Sequence, residues 1–266
     1  MAPAGQGMMV PAGQRVVALA GGAMTPAGGA MAPAGQRVIE VPETLARVLP
    51  EGGLRRGSLV SVEAAVPSGR AVSGGTALAL ALSAVATRSG SWCAAVGLPE
   101  LGLVAAQQLG VCLDRFALVP RPGPQWAVVA AALLEGADLL LVRPPSVVSP
   151  GDARRLLARA RERDAVLMVA GSRRWPEAAE LRLQVVASSW TGLGQGRGYL
   201  GDREVEVAVT GRRAAARERR CRLLLPGPDG GLAESQGGLG EDAGLKGEVV
   251  MAGEEAGVRG EEVMAG

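Results

Sequence analysis

Ser58-Leu59-Val60-Ser61-Val62-Glu63, then Gly69-Arg70-Ala71-Val72-Ser73-Gly74-Gly75-Thr76 running straight into Ala77-Leu78-Ala79-Leu80-Ala81-Leu82, is the stretch that sets the architecture. The first piece is short, apolar and rich in valine, as buried strands are. The second is a glycine-rich turn, and the third is an apolar helix former that continues to Arg88. Together they predict a strand over 58–63 and a helix over 76–88, the opening of a βαβ unit.

The same rhythm continues downstream. Strands are expected at 92–96, 116–119, 138–142 and 165–169, with helices at 101–109, 125–135 and 150–163 between them. The run Leu139-Leu140-Leu141-Val142 reads as a central strand buried on both faces. Pro150-Gly151-Asp152 opens the arginine-rich helix, with Asp152 as its cap or first-turn acid. After residue 180 the period changes: 181–189 and 204–210 alternate apolar and polar around the glycine-rich stretch 191–201. That pattern predicts an antiparallel hairpin appended to the parallel sheet. A last strand over 222–225 is stopped by Pro226-Gly227-Pro228. The fold expected is therefore α/β, with a mainly parallel central sheet, helices on both faces and an appended hairpin.

Composition fits that reading. The 266 residues are 48% apolar but only 2% aromatic, so the core must be built from Ala, Val and Leu. Three segments are expected. Residues 1–40 repeat Pro-Ala-Gly phrases (Pro3-Ala4-Gly5-Gln6, Pro11-Ala12-Gly13-Gln14, Pro33-Ala34-Gly35-Gln36) and read as a disordered leader, with Met24 and Met31 as alternative starting residues. Residues 41–228 form the folded domain. Residues 229–266 read as a disordered acidic tail, with nine acids against two bases, so the formal +2 of the chain hides a basic body.

Several function classes drop out. There is no histidine, which removes Ser-His-Asp hydrolases, imidazole acid–base catalysis and His-ligated metals. Cys93, Cys112 and Cys221 are far apart and lack CxxC spacing, so they read as small core residues rather than zinc ligands. No run of about 18 uncharged apolar residues is present to span a membrane. The apolar run 16–20 is too short for a signal peptide, and a cytoplasmic protein is expected.

The loop at 69–76 has the spacing of a phosphate-cradling P-loop, GxxxxGK[ST], in the right strand–loop–helix setting. Gly69, Ser73, Gly74, Gly75 and Thr76 are the candidate, degenerate nucleotide-binding residues. The lysine that meets the β- and γ-phosphates is replaced by Gly75, and the chain's single lysine is Lys246, in the acidic tail. A P-loop hydrolase also holds Mg²⁺ through an acid at the end of a buried central strand. Here the residue after Val142 is Arg143, which would repel the ion. No catalytic residue and no resident metal are assigned, and no cofactor is expected to be used, ATP being the one candidate the loop keeps open.

These residues resemble the RecA-like ATPases, and more closely the RecA-like accessory proteins of bacterial mutasomes, the ImuA type. The resemblance is carried by Leu45-Ala46-Arg47-Val48-Leu49-Pro50-Glu51-Gly52-Gly53-Leu54-Arg55-Arg56-Gly57, by Cys93-Ala94-Ala95-Val96 with Leu109-Gly110-Val111, and by the strand at 137–142. It covers about residues 43–170. It implies a RecA-like P-loop NTPase core with degenerate motifs, and a protein of the SOS-type DNA-damage response that bridges a Y-family polymerase homologue and a replicative-type polymerase in translesion synthesis. The family's catalytic glutamate would fall near Glu100, which stands one place late and is not assigned as a base.

Arg212, Arg213, Arg217, Arg219, Arg220 and Arg222 form a basic stretch suited to phosphate backbones, and are the candidate DNA-binding residues. Trp92, Trp126 and Trp175 read as core anchors. Trp190 and Tyr199, flanking and within the glycine-rich stretch, are candidate partner-binding residues. Two alternatives stay open: an ATP-dependent recombinase that tolerates Gly75, and an inhibitor of cell division.

Overall fold

The structure is a computed structural model that describes residues 17–18, 37–65, 74–144, 147–171, 175–190, 202–212 and 216–235. Its elements in chain order are β1 (Val17–Ala18), β2 (Val38–Glu40), α1 (Glu43–Ala46), β3 (Gly53–Arg55), β4 (Leu59–Ala64), α2 (Gly75–Arg88), β5 (Cys93–Val96) and α3 (Leu103–Gln108). They continue with β6 (Phe116–Val119), α4 (Trp126–Leu133), β7 (Leu139–Val142), α5 (Pro150–Glu162), β8 (Val166–Ala170), β9 (Leu181–Trp190), β10 (Arg203–Gly211), β11 (Arg219–Leu224) and β12 (Ala233–Glu234).

One ten-stranded sheet carries the fold, in the order β1-β6-β5-β7-β8-β4-β9-β10-β11-β12, and β2 pairs with β3 in a separate two-stranded sheet. The six strands from β6 to β9 are parallel neighbours. The pairs β1–β6, β9–β10, β10–β11 and β11–β12 are antiparallel.

Two apolar layers sandwich the parallel part. Strand alternation sends Val60, Val62, Leu139, Leu141 and Met168 to one face, under α2 and the segment around α1. Leu140, Val142, Leu167 and Val169 point to the other, under α4 and α5. There Trp126 and Trp175 meet edge to face with centroids 6.5 Å apart, a preferred geometry for aromatic pairs. The four residues of β7 are all buried, as a strand covered on both faces must be. Helix α2 is buried on nearly every side; its Ala-Leu repeat, with little amphipathic contrast, suits a helix enclosed by sheet, α3 and the N-terminal strands.

The sheet loses its second layer after β4. Leu183, Val185, Val205, Val207, Cys221 and Leu223 continue the α2-side core, while none of β9, β10 or β11 contributes to the other. Period-two sequences are what a sheet buried on one face requires. Helix α5 starts with Ser149 as its cap, the hydroxyl oxygen accepting from the Asp152 N–H at 3.0 Å, and Asp152 serves as first-turn acid. Among the described residues no helix is long and apolar enough to cross a membrane.

A candidate oxyanion cleft at the start of helix α2

In open α/β sheets, ligands bind beyond the carboxyl ends of the strands, where successive connections leave on opposite faces. Here β4 leads into α2 on one face, whereas β7 leads into α5 on the other. Between these departures lies a cleft of about 470 Å³, lined by Val62 and Ala64 of β4, Ala170 and Gly171 at the end of β8, the first residues of α2, Arg143 and Arg203.

Gly74 caps α2 with φ +122°, and no side chain caps the helix. Glycine adopts such a conformation without penalty. The unfilled N–H groups of a helix start carry partial positive charge. A Cβ at Gly75 would sit 3.5 Å from the Glu63 carbonyl carbon, ordinary contact, so packing does not forbid a larger residue there. Gly69 and Ser73 lie outside the described residues.

Arg143 leaves β7 at the cleft wall, fixed by its N–H donating to the Val96 carbonyl at 2.9 Å. The chain crosses closely there: Gly97 has φ +78° and a Cβ on it would collide with the Arg143 carbonyl. The Arg143 guanidinium donates to the Thr76 hydroxyl at 2.8 Å and forms an ion pair with Glu100. The Thr76 hydroxyl, the residue that follows the central strand and the nearby glutamate are thus joined through the Arg143 guanidinium.

Arg203 reaches the cleft from β10. It is 8% exposed although it begins an exterior strand, because it shares the inward parity of Val205 and Val207. Its Nε donates to the Leu225 carbonyl at 2.7 Å. Its guanidinium lies over the Trp190 ring, 5.2 Å from the centroid, within cation–π reach. No carboxylate pairs with it among the described residues, and burial lowers its pKa below the usual arginine value. A Cβ on Gly74 would be 3.6 Å from its Nη2, so the terminal nitrogens face the start of α2. Sequence reasoning passed over this residue.

Trp190, the opposite number of Arg203 in the β9–β10 register, is 41% exposed at the cleft's outer side; Tyr199 lies outside the described residues. The basic stretch is divided by strand parity. Arg220 and Arg222 share the outer face with Glu206 and form ion pairs with it, and Arg220 also pairs with Glu218. Arg219 points to the other face, where its Nη1 donates to the Val48 carbonyl at 3.4 Å. Arg212 and Arg217 are exposed, and Arg213 lies outside the described residues.

Residues 47–177 match the family model of the MT3502 N-terminal domain. The chain is also 36% identical over 129 residues to Rv3395c, an uncharacterized protein of Mycobacterium tuberculosis; the alignment takes in 47% of this chain and 63% of that protein. The chain thus spans less than two thirds of the length of the curated relative it matches. The family match runs from the end of α1 past β8 and stops ahead of β9. It includes Gly74, Gly75, Thr76, Glu100 and Arg143, and leaves out Trp190 and Arg203.

Proposed function

We propose that the chain is a non-catalytic, RecA-like accessory protein of the DNA-damage response, which acts in the cytoplasm by bridging a Y-family polymerase homologue and a replicative-type polymerase during translesion synthesis. The observation that carries the non-catalytic part is the Arg143 guanidinium bound to both the Thr76 hydroxyl and the Glu100 carboxylate. Phosphoryl transfer needs a cation on the β- and γ-phosphates and a metal held by a hydroxyl and a carboxylate. Gly75 supplies no charge, and Arg143 places a positive group where the metal would have to sit. A RecA-like core in this condition keeps its surfaces while losing its chemistry, which favours binding as its use.

The polymerase assignment rests on the resemblance carried by residues 45–57, 93–96, 109–111 and 137–142. In this reading Trp190 is a partner anchor, and Arg212 and Arg217 are the arginines of the basic stretch best placed to meet a phosphate backbone. The test is reconstitution of the full chain with the two polymerase components encoded in the same genome, followed by size-exclusion chromatography. A ternary complex weakened by Trp190→Ala is expected; failure of the full chain to co-elute with either polymerase would overturn the reading.

A further inference from the structure

We infer that a small pocket on the α4 and α5 side of the sheet, walled by Trp175, Glu177 and Arg182, is a binding subsite for one neutral amide group, a side-chain carboxamide or a main-chain peptide unit. The site stands apart from the cleft at α2 and does not depend on the preceding reading.

The pocket, of about 40 Å³, lies where the second apolar layer gives way to bare sheet. Leu59, Val169 and Trp175 belong to that layer, and Arg182 is an outward residue of β9, on the face that no helix covers. Trp175 is 8% exposed, and Trp126 meets its ring edge to face. Its Nε1–H is buried and has no acceptor among the described residues. A buried donor left unpaired is costly, and native proteins carry few of them. Glu177, on the same pocket and partly buried, makes no ion pair or hydrogen bond among the described residues. The neighbouring polar groups are already engaged: the Ser61 hydroxyl donates to Glu63 Oε1 at 3.2 Å, and Arg182 Nε lies 3.3 Å from the same oxygen. One unused donor and one unused acceptor remain.

That pair selects the ligand. An ammonium or guanidinium carries donors alone and leaves the indole N–H unmet, whereas an ionised carboxylate carries acceptors alone and faces Glu177. An amide has both, a carbonyl oxygen to accept from the indole and an N–H to donate to the Glu177 carboxylate. Its flat body suits walls made of Leu59, Val169 and the indole. The volume is that of about three waters, which matches the few heavy atoms of one amide. Arg182 stands opposite Ser61 in the β4–β9 register, and Trp126 holds the indole, so the walls are set before a ligand arrives.

The test is NMR of the indole N–H groups in the nitrogen-labelled full chain, whose four tryptophans give one signal each. The Trp175 signal is the one lost in Trp175→Phe; should that variant not fold, its through-space contact with Trp126 assigns it. The titrants are acetamide for a side-chain carboxamide, N-methylacetamide for a peptide unit, and acetate and methylammonium as charged counterparts. Both amides are expected to move the Trp175 signal saturably, with Kd in the range of about 1–100 mM that so small a probe allows, while the charged probes leave it in place. The tighter of the two amides identifies the source of the group. Glu177→Ala removes a side chain without a partner, so the fold is kept, and should weaken amide binding about three- to tenfold. Absence of a saturable shift with either amide, an equal shift with acetate or methylammonium, or an affinity unchanged in Glu177→Ala would overturn the inference. Polymerase binding and ATP turnover are read separately, so this site and the preceding reading fail independently.

Discussion

The parallel and antiparallel halves of the sheet solve different problems. From β6 to β4 each strand is covered by helices on both sides, and the charged residues at the carboxyl ends are neutralised locally, as Arg143 is by Glu100. From β9 onward only the α2-side face is covered, the outer face carries its own ion pairs, and the buried side admits Arg203 with no acid paired to it among the described residues. The family match covers the first half and stops before the second. The difference teaches that the scaffold of the cleft and its unneutralised charge come from separate parts of the chain.

Core truncations should break the comparison first. Leu140 of β7 and Leu223 of β11 are equally inaccessible, but Leu140 is held between two layers while Leu223 lies near the sheet edge. Within the range of about 2–5 kcal/mol for Leu→Ala, Leu140→Ala should fall at the upper end and Leu223→Ala at the lower, because a strand covered on one face and flanked by only the two-residue β12 relaxes into the cavity more readily. Urea denaturation measures both, and the reverse order would mean that the two halves are equally rigid. Gly97→Ala should cost about 3 kcal/mol or more, through its positive φ and its collision with the backbone that sets Arg143.

Thiol titration sharpens the comparison through pH. Burial, with Asp138 adding to it, raises the Cys93 pKa, and burial, with Glu206 and Glu234, pushes Cys221 up to about 12 from an ordinary value near 9. Folding therefore keeps both thiols protonated, so their contribution is fully present below about pH 9 and is lost as pH rises through the folded values. Unfolding free energy should fall by on the order of 1 kcal/mol per thiol by pH 10. Cys93→Ala and Cys221→Ala should each flatten that slope, and a slope unchanged in both would contradict the burial. The smallest effect belongs to the outer face, where Arg222→Ala should change stability by no more than about 0.5 kcal/mol. A larger loss would show the Glu206 ion pairs to be structural.

Much of the parallel half was legible because its signals are local. Glycine-rich turns, valine runs and Ala-Leu helices place β4, α2, β5, β6, β7 and β8 within a residue or two of the expected bounds. The short β2–β3 pair was not, since three-residue strands among Pro and Gly carry no period. Gly75 and Arg143 stand out in the sequence, but the binding of Arg143 to both Thr76 and Glu100 joins positions 67 and 43 residues away and needs the sheet order to be seen. Arg203 left one signal: it falls in phase with Val205 and Val207, the inward parity of β10. The same parity rule separates Arg219 from Arg220 and Arg222, which a count of arginines along the chain merges into one patch.

Steady-state hydrolysis of Mg²⁺–ATP by the full chain, with and without single-stranded DNA, tests the central claim most directly. With Arg143 bound to Thr76 and Glu100 and no cation at position 75, the account predicts turnover no higher than that of buffer alone. Turnover above background that is lost in Thr76→Ala would contradict it, and would mean that Arg143 swings away to leave a working phosphoryl-transfer site.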